Sequence, residues 1–150
     1  MRLRPPTSLA LRTLAMTVIA MPGISADWRP PQEPERWALI RRTLQGAGRI
    51  DNADWVFFGS LETDTTQAAE YLRNLRPQTQ GGDGVVFDGL LLLKRTEDSD
   101  WRVRPLTMRA LCGDQRLERL GTDGRWSDYS GRQGTEVKVG WICSRTAQER

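Results

Sequence analysis

The 150-residue chain contains no histidine, and that absence removes more chemistry than any residue present adds. Without an imidazole there is no Ser-His-Asp or Cys-His nucleophile, and the usual ligands of zinc and haem are missing. Cysteine is scarce as well. Cys112 and Cys143 are too far apart for a Cys-x-x-Cys pair, so thiol redox catalysis is disfavoured. Lysine is limited to Lys94 and Lys138, so 20 of the 22 cations are arginines. Arginine suits bidentate carboxylate contacts and stacking on rings, and serves equally as a plain solvated charge. No uninterrupted apolar run reaches the ~20 residues of a membrane span. Internal repeats are absent, and the only biased tract is a short proline-rich one.

The first residues read as a targeting segment. Arg2, Arg4 and Arg12 precede an apolar run from Thr13 to Met21, and Ile24-Ser-Ala26 offers a cleavage site. A charged, then apolar, then small-residue order is that of a secretory signal peptide, expected over 1–26. Removing it takes away three arginines and no acid, leaving 19 charges of each sign. The basic character of the whole chain is therefore no footprint of nucleic-acid binding. A periplasmic or extracellular location follows, with no transmembrane segment once the signal is removed.

Two cysteines in an exported chain read as one disulfide, Cys112–Cys143. Closing a loop of about 30 residues is worth roughly 3–4 kcal/mol on a chain-entropy model.

Residues 27–34 form a proline-rich leader, and 35–150 are expected to form a single α+β domain. Trp37, Ile40 and Leu44 share a helical stripe over Glu35–Gln45, with Gly46 at the C-cap position. Arg36, Arg41 and Arg42 lie off that stripe, on a helix short for membrane binding. Residues 53–61 read as a strand. Ala68, Tyr71, Leu72 and Leu75, stopped by Pro77, predict a second helix over Thr65–Arg76. A glycine-rich loop, Gln78–Gly84, leads to a strand at Val85–Arg95, whose four leucines suggest a central position. Trp101–Cys112 is a further strand, in which Pro105 implies an edge or a bulge. Val137, Val139, Trp141 and Cys143 alternate, predicting a last strand over Thr135–Cys143.

A register for the disulfide follows. In a tight-turned meander the eight-residue run to Cys143 would separate the sulfurs by ~27 Å, against a Cα limit of about 7 Å. The preferred arrangement is a single bent strand from Cys112 to Leu120, bulged at Gly113. The final strand pairs back on it, 112 opposite 143 and 120 opposite 135. Residues 121–134 then project as a flap, turning at Thr122-Asp-Gly124. The expected fold is a small antiparallel β-sheet with one or two short helices and one disulfide.

Trp55 in Asp54-Trp-Val-Phe, Ala110-Leu-Cys112 followed by Arg116, and Val139-Gly-Trp-Ile-Cys143 give a plan that resembles the bacterial surface-adhesin protein E-like domains, over roughly 53–143. The resemblance implies an antiparallel sheet with a disulfide outside the cytoplasm. It carries over no functional residues.

Candidate chemistry is thin. Gly81-Gly-Asp-Gly84 lacks the spacing of a nucleotide loop. Glu97, Asp98 and Asp100 read as solvated turn charges rather than a cation site. Pairs such as Asp51/Asp54 and Glu62/Asp64 arise by chance among 19 acids. No catalytic residue, metal or cofactor is assigned, and the chain reads as non-enzymatic. Arg102, Arg104 and Arg109 with Trp101 and Trp126 could form a partner surface; the plainer reading puts Trp in the core under Arg stems. The expected function is binding of a protein or other envelope macromolecule. The alternative is an inhibitor-type domain presenting Trp126, Asp128 and Tyr129 on the flap. Deleting the flap would separate the two.

Overall fold

Six strands follow one another in the same order along the chain and across the sheet. The computed structural model describes residues 28–79, 82–130 and 133–148; the expected signal peptide lies outside them. The elements are α1 (Glu35–Gly46), β1 (Val56–Glu62), β2 (Thr66–Pro77), β3 (Gly84–Arg95), β4 (Arg102–Leu111), β5 (Arg116–Leu120), β6 (Trp126–Asp128) and α2 (Thr135–Gln148). All neighbouring strands are antiparallel. The fold is thus a small α+β domain with one disulfide, Cys112–Cys143.

The two helices cover opposite faces of the sheet. Beneath α1, Trp37 and Leu44 meet Phe57, Tyr71, Leu90 and Leu92. Beneath α2, Val139 and Ile142 meet Phe58, Leu72, Phe87, Met108 and Leu117. Tyr71 and Leu72, neighbours in sequence, therefore serve different cores. Val139 and Ile142 are almost wholly buried, a gain of about 1.5–3 kcal/mol for each such side chain.

Three expectations are corrected. Thr65–Arg76 is not a helix but the strand β2, bonded on both sides by β1 and β3. Its helical spacing has two sources. Ala68 and Leu72, four apart, share a face in a strand as well as in a helix. A bulge between Arg73 and Arg76 inserts one extra residue, with Asn74 at φ 54°. That insertion returns Leu75 to the core of Leu72, three residues on.

Thr135–Cys143 is not a strand but the first part of α2. Thr135, Val139, Ile142 and Thr146 are its buried positions, a spacing of four, three and four that only a helix satisfies. The odd-numbered alternation at 137–143 is coincidental, and β-branched residues reinforced it.

The bent strand through Gly113 and the register of 120 opposite 135 do not form. The chain reverses at Cys112–Gln115, with Gln115 at φ 53°, and β5 pairs back on β4. The meander is therefore built by β4, β5 and β6, with 135–143 packed on it as a helix rather than as its last strand. The disulfide within it joins the end of β4 to a helix, with the two Cα atoms 6.0 Å apart. The distance objection assumed extended chain, whereas a helix covers only ~12 Å in eight residues. Nor is there a projecting flap over 121–134, because Trp126–Asp128 is a strand on the sheet edge. What remains is the turn Gly121–Gly124, with Gly124 at φ 79°.

Other expectations hold. The stripe of α1 is buried, although the helix runs through Gly46 and the positive φ falls on Gly48. Arg36, Arg41 and Arg42 each face a carboxylate, of Glu62, Glu33 and Glu35. Pro105 pairs with Leu90 but lies where β4 has no second neighbour, since β5 reaches only Met108.

Candidate functional site

α1 covers only the lower part of its face; its hydrophobic cluster includes no residue of β5 or β6. The upper part carries charged residues in two cross-strand rows. One runs Arg76, Val86, Arg109, Glu118, Asp128. In the other, Arg73 faces Asp88 and Asp88 faces Thr107. Leu120 and its partner Trp126 continue that row, one residue on from the Met108–Arg119 pair. The β2 bulge makes this possible. Without the extra residue Arg73 and Arg76 would point to opposite faces; with it, both flank Asp88.

Asp88 accepts a hydrogen bond from Asn74 Nδ2 at 2.8 Å and a weaker one from Arg76 at 3.4 Å. Arg73 donates to Asp51 at 2.8 Å and its guanidinium lies 4.3 Å from the centre of the Trp55 ring. At the far end Arg109 pairs with Glu118 through two nitrogens, at 2.6 and 3.0 Å, and stacks 4.4 Å from the Trp126 ring. Both indoles remain partly exposed. Between loop 49–55 and β4 lies a hollow of about 220 Å³, bordered by Ile50, Trp55, Arg73, Asp88, Pro105 and Thr107. Arg73 Nε is buried, 3.6 Å from Asp88 Oδ2 and beyond hydrogen-bond distance of it.

The residues expected to form a partner surface are divided between faces. Trp126 and Asp128 lie on the α1 side. Arg102 and Arg104, opposite Leu93 and Leu91, belong to the α2 side. There Arg102 is held by Asp98 at 2.6 Å. The Asp98 carboxyl stays below its usual range because the Arg95 backbone N–H and then Arg102 donate to it. Trp101 packs in the core against Trp37, centroids 5.5 Å apart, so no Trp101–Trp126 platform exists. Tyr129 crosses the α2 face, its hydroxyl 3.5 Å from Glu70, above an apolar cleft that Lys138 borders. Of the expected group only Arg109 and Trp126 meet. Trp55, Arg73 and Asp88 were missed, because a helix at 65–76 conceals the bulge.

A separate polar knot ties the leader down. Glu33 accepts from Arg41 at 2.8 and 2.9 Å and from the Tyr71 hydroxyl at 2.8 Å. Burial pushes the Glu33 carboxyl up, but Arg41 and Tyr71 outweigh it and hold the group below the ordinary range. Burial and then Glu33 push the Tyr71 phenol far up, so it remains a donor. On the other side of the sheet Trp28 meets Phe58 and Trp141 edge-on, at 5.4 and 6.3 Å. The leader therefore straps the edge of β1.

Among the described residues no group of three or more Cys, Asp or Glu is arranged to hold a metal ion. Among them, too, no helix is long and apolar enough to cross a membrane. No family model, curated protein or solved structure matches the chain.

Proposed function

We propose that the chain is an exported, non-enzymatic domain that binds a macromolecular partner at the bacterial envelope or outside the cell. The observation that carries this reading is the uncovered upper part of the α1 face, where Trp55–Arg73 and Trp126–Arg109 stacks flank an ion-paired centre. A partly exposed indole presents an apolar body with a polar edge, a combination suited to contact with a partner. The lack of histidine excludes an imidazole general base. The disulfide fits an oxidising compartment. An inhibitor-type role retains only the turn 121–125 to present, because 126–128 is strand.

A photo-crosslinking residue at Trp126, compared with one at Arg104 on the other face, tests the assignment in intact cells. Adducts are expected from 126 and not from 104; the reverse pattern overturns it. The intact mass of the exported protein should show loss of residues 1–26 and of two hydrogens. A full-length chain with two free thiols would exclude export.

A further inference from the structure

The chemistry of the open face narrows the partner, on the reading just given. Its arginines are already neutralised: Arg49 by Asp100, Arg73 by Asp51, Arg76 by Asp88, Arg109 by Glu118. No excess positive field is left to attract a polyanion. A protein hot spot is equally ill-suited. It needs a dry, charge-depleted centre, and covering Asp88, Glu118 and Asp128 with apolar surface strips charges of water.

An uncharged, hydroxyl-rich polymer meets neither objection. The ion pairs stay intact and offer charge-assisted donors and acceptors side by side. The partly exposed indoles, each with a guanidinium on one face, supply apolar surface beside those polar groups. Arg73 and Trp126 stand at the ends of one row, four strand spacings or about 19 Å apart. That span suits an extended chain lying across the strands. The hollow of about 220 Å³ is smaller than the ~300–1,000 Å³ of a small-molecule site, as a seat for one unit of a longer chain would be.

We infer that the upper α1 face binds the glycan strand of peptidoglycan. Its N-acetylated sugars are uncharged and carry hydroxyl and amide groups that ion-paired side chains can bond. An exported envelope domain meets this polymer directly.

Cosedimentation of the oxidised, exported protein with purified sacculi is the test. The wild type should pellet, resist added salt and be displaced by soluble muropeptides released with a muramidase. Trp126→Ala and Asp88→Asn should each weaken pelleting about tenfold, in line with loss of an aromatic or charge-assisted contact. Arg104→Ala should not. Thermal unfolding of each variant separates lost binding from lost folding, and Asp88→Asn keeps the test open if Trp126→Ala fails to fold. Equal pelleting with cellulose, or pelleting unchanged in both folded variants, overturns the assignment. A wild type that stays in the supernatant while residue 126 still crosslinks in cells defeats the glycan assignment alone. If crosslinking fails too, the broader reading falls with it.

Discussion

Glu33 illustrates how much one carboxylate organises when two donors converge on it. Arg41 on α1 and Tyr71 on β2 both bond it, so the leader, a helix and the sheet meet at one side chain. Its proton affinity is lowered in the folded state relative to the usual 4.5. The stabilisation is therefore complete above about pH 4.5 and is lost as pH falls through the lower folded value. Thermal unfolding should show Glu33→Gln less stable than wild type at pH 7, with the gap closing in acid. A constant gap from pH 7 to pH 3 would mean that ionisation of Glu33 is irrelevant. Asn74 matters for another reason. Its φ of 54° lies in the left-handed region, which asparagine tolerates and β-branched residues do not. Asn74→Val should cost about 1–2 kcal/mol in chemical denaturation, and Asn74→Gly clearly less.

At the scale of elements, α2 and β2 show where pattern reading succeeds and fails. The stripe of α1 was legible because one face is solvated and the other buried. The leucines of β3 signalled a central strand for the related reason that both faces are covered. β2 has that same double burial, but its bulge spaces Leu72 and Leu75 like a helix. Such a bulge is invisible until pairing partners are known. In α2 the apolar residues satisfy both periods at once, and the decisive positions are the two threonines, Thr135 and Thr146, buried along with Val139 and Ile142. Buried threonines carry no apolar signal, so hydrophobic periodicity alone does not reveal this helix. The candidate face shared that fate, since Arg73 and Arg76 come together only through the bulge. A helix and a strand at 135–143 make opposite demands on Val137 and Ile142. Ile142→Ala should cost about 2–5 kcal/mol, and the partly buried Val137→Ala distinctly less, by urea denaturation. Equal costs would contradict the helix.

For the whole molecule, the disulfide is the one long-range feature that two residues of sequence sufficed to locate. It fastens α2 to the end of β4, across 31 residues of chain. Replacing both cysteines by serine should lower stability by about 2–5 kcal/mol, measured as a shift of the denaturation midpoint. Because α2 is the only helix on its face among the described residues, unfolding of the variant should begin there, with early hydrogen exchange at Val139 and Ile142. Uniform exchange across sheet and helix would show that the bridge adds stability without anchoring α2. The same two changes should leave the upper α1 face, on the other side of the sheet, intact.

The position of α2 in the chain sets the timing of folding. All six strands precede it, yet half of the core, from Phe58 to Leu117, is closed only by Val139 and Ile142. A growing chain can pair its strands as they appear, but it cannot bury that face until residues 135–146 have followed. Bridging is postponed as well, because Cys143 arrives after Cys112 has waited through two strands. The bridge therefore closes only after β5 and β6 have been made, when Cys143 is present to meet Cys112.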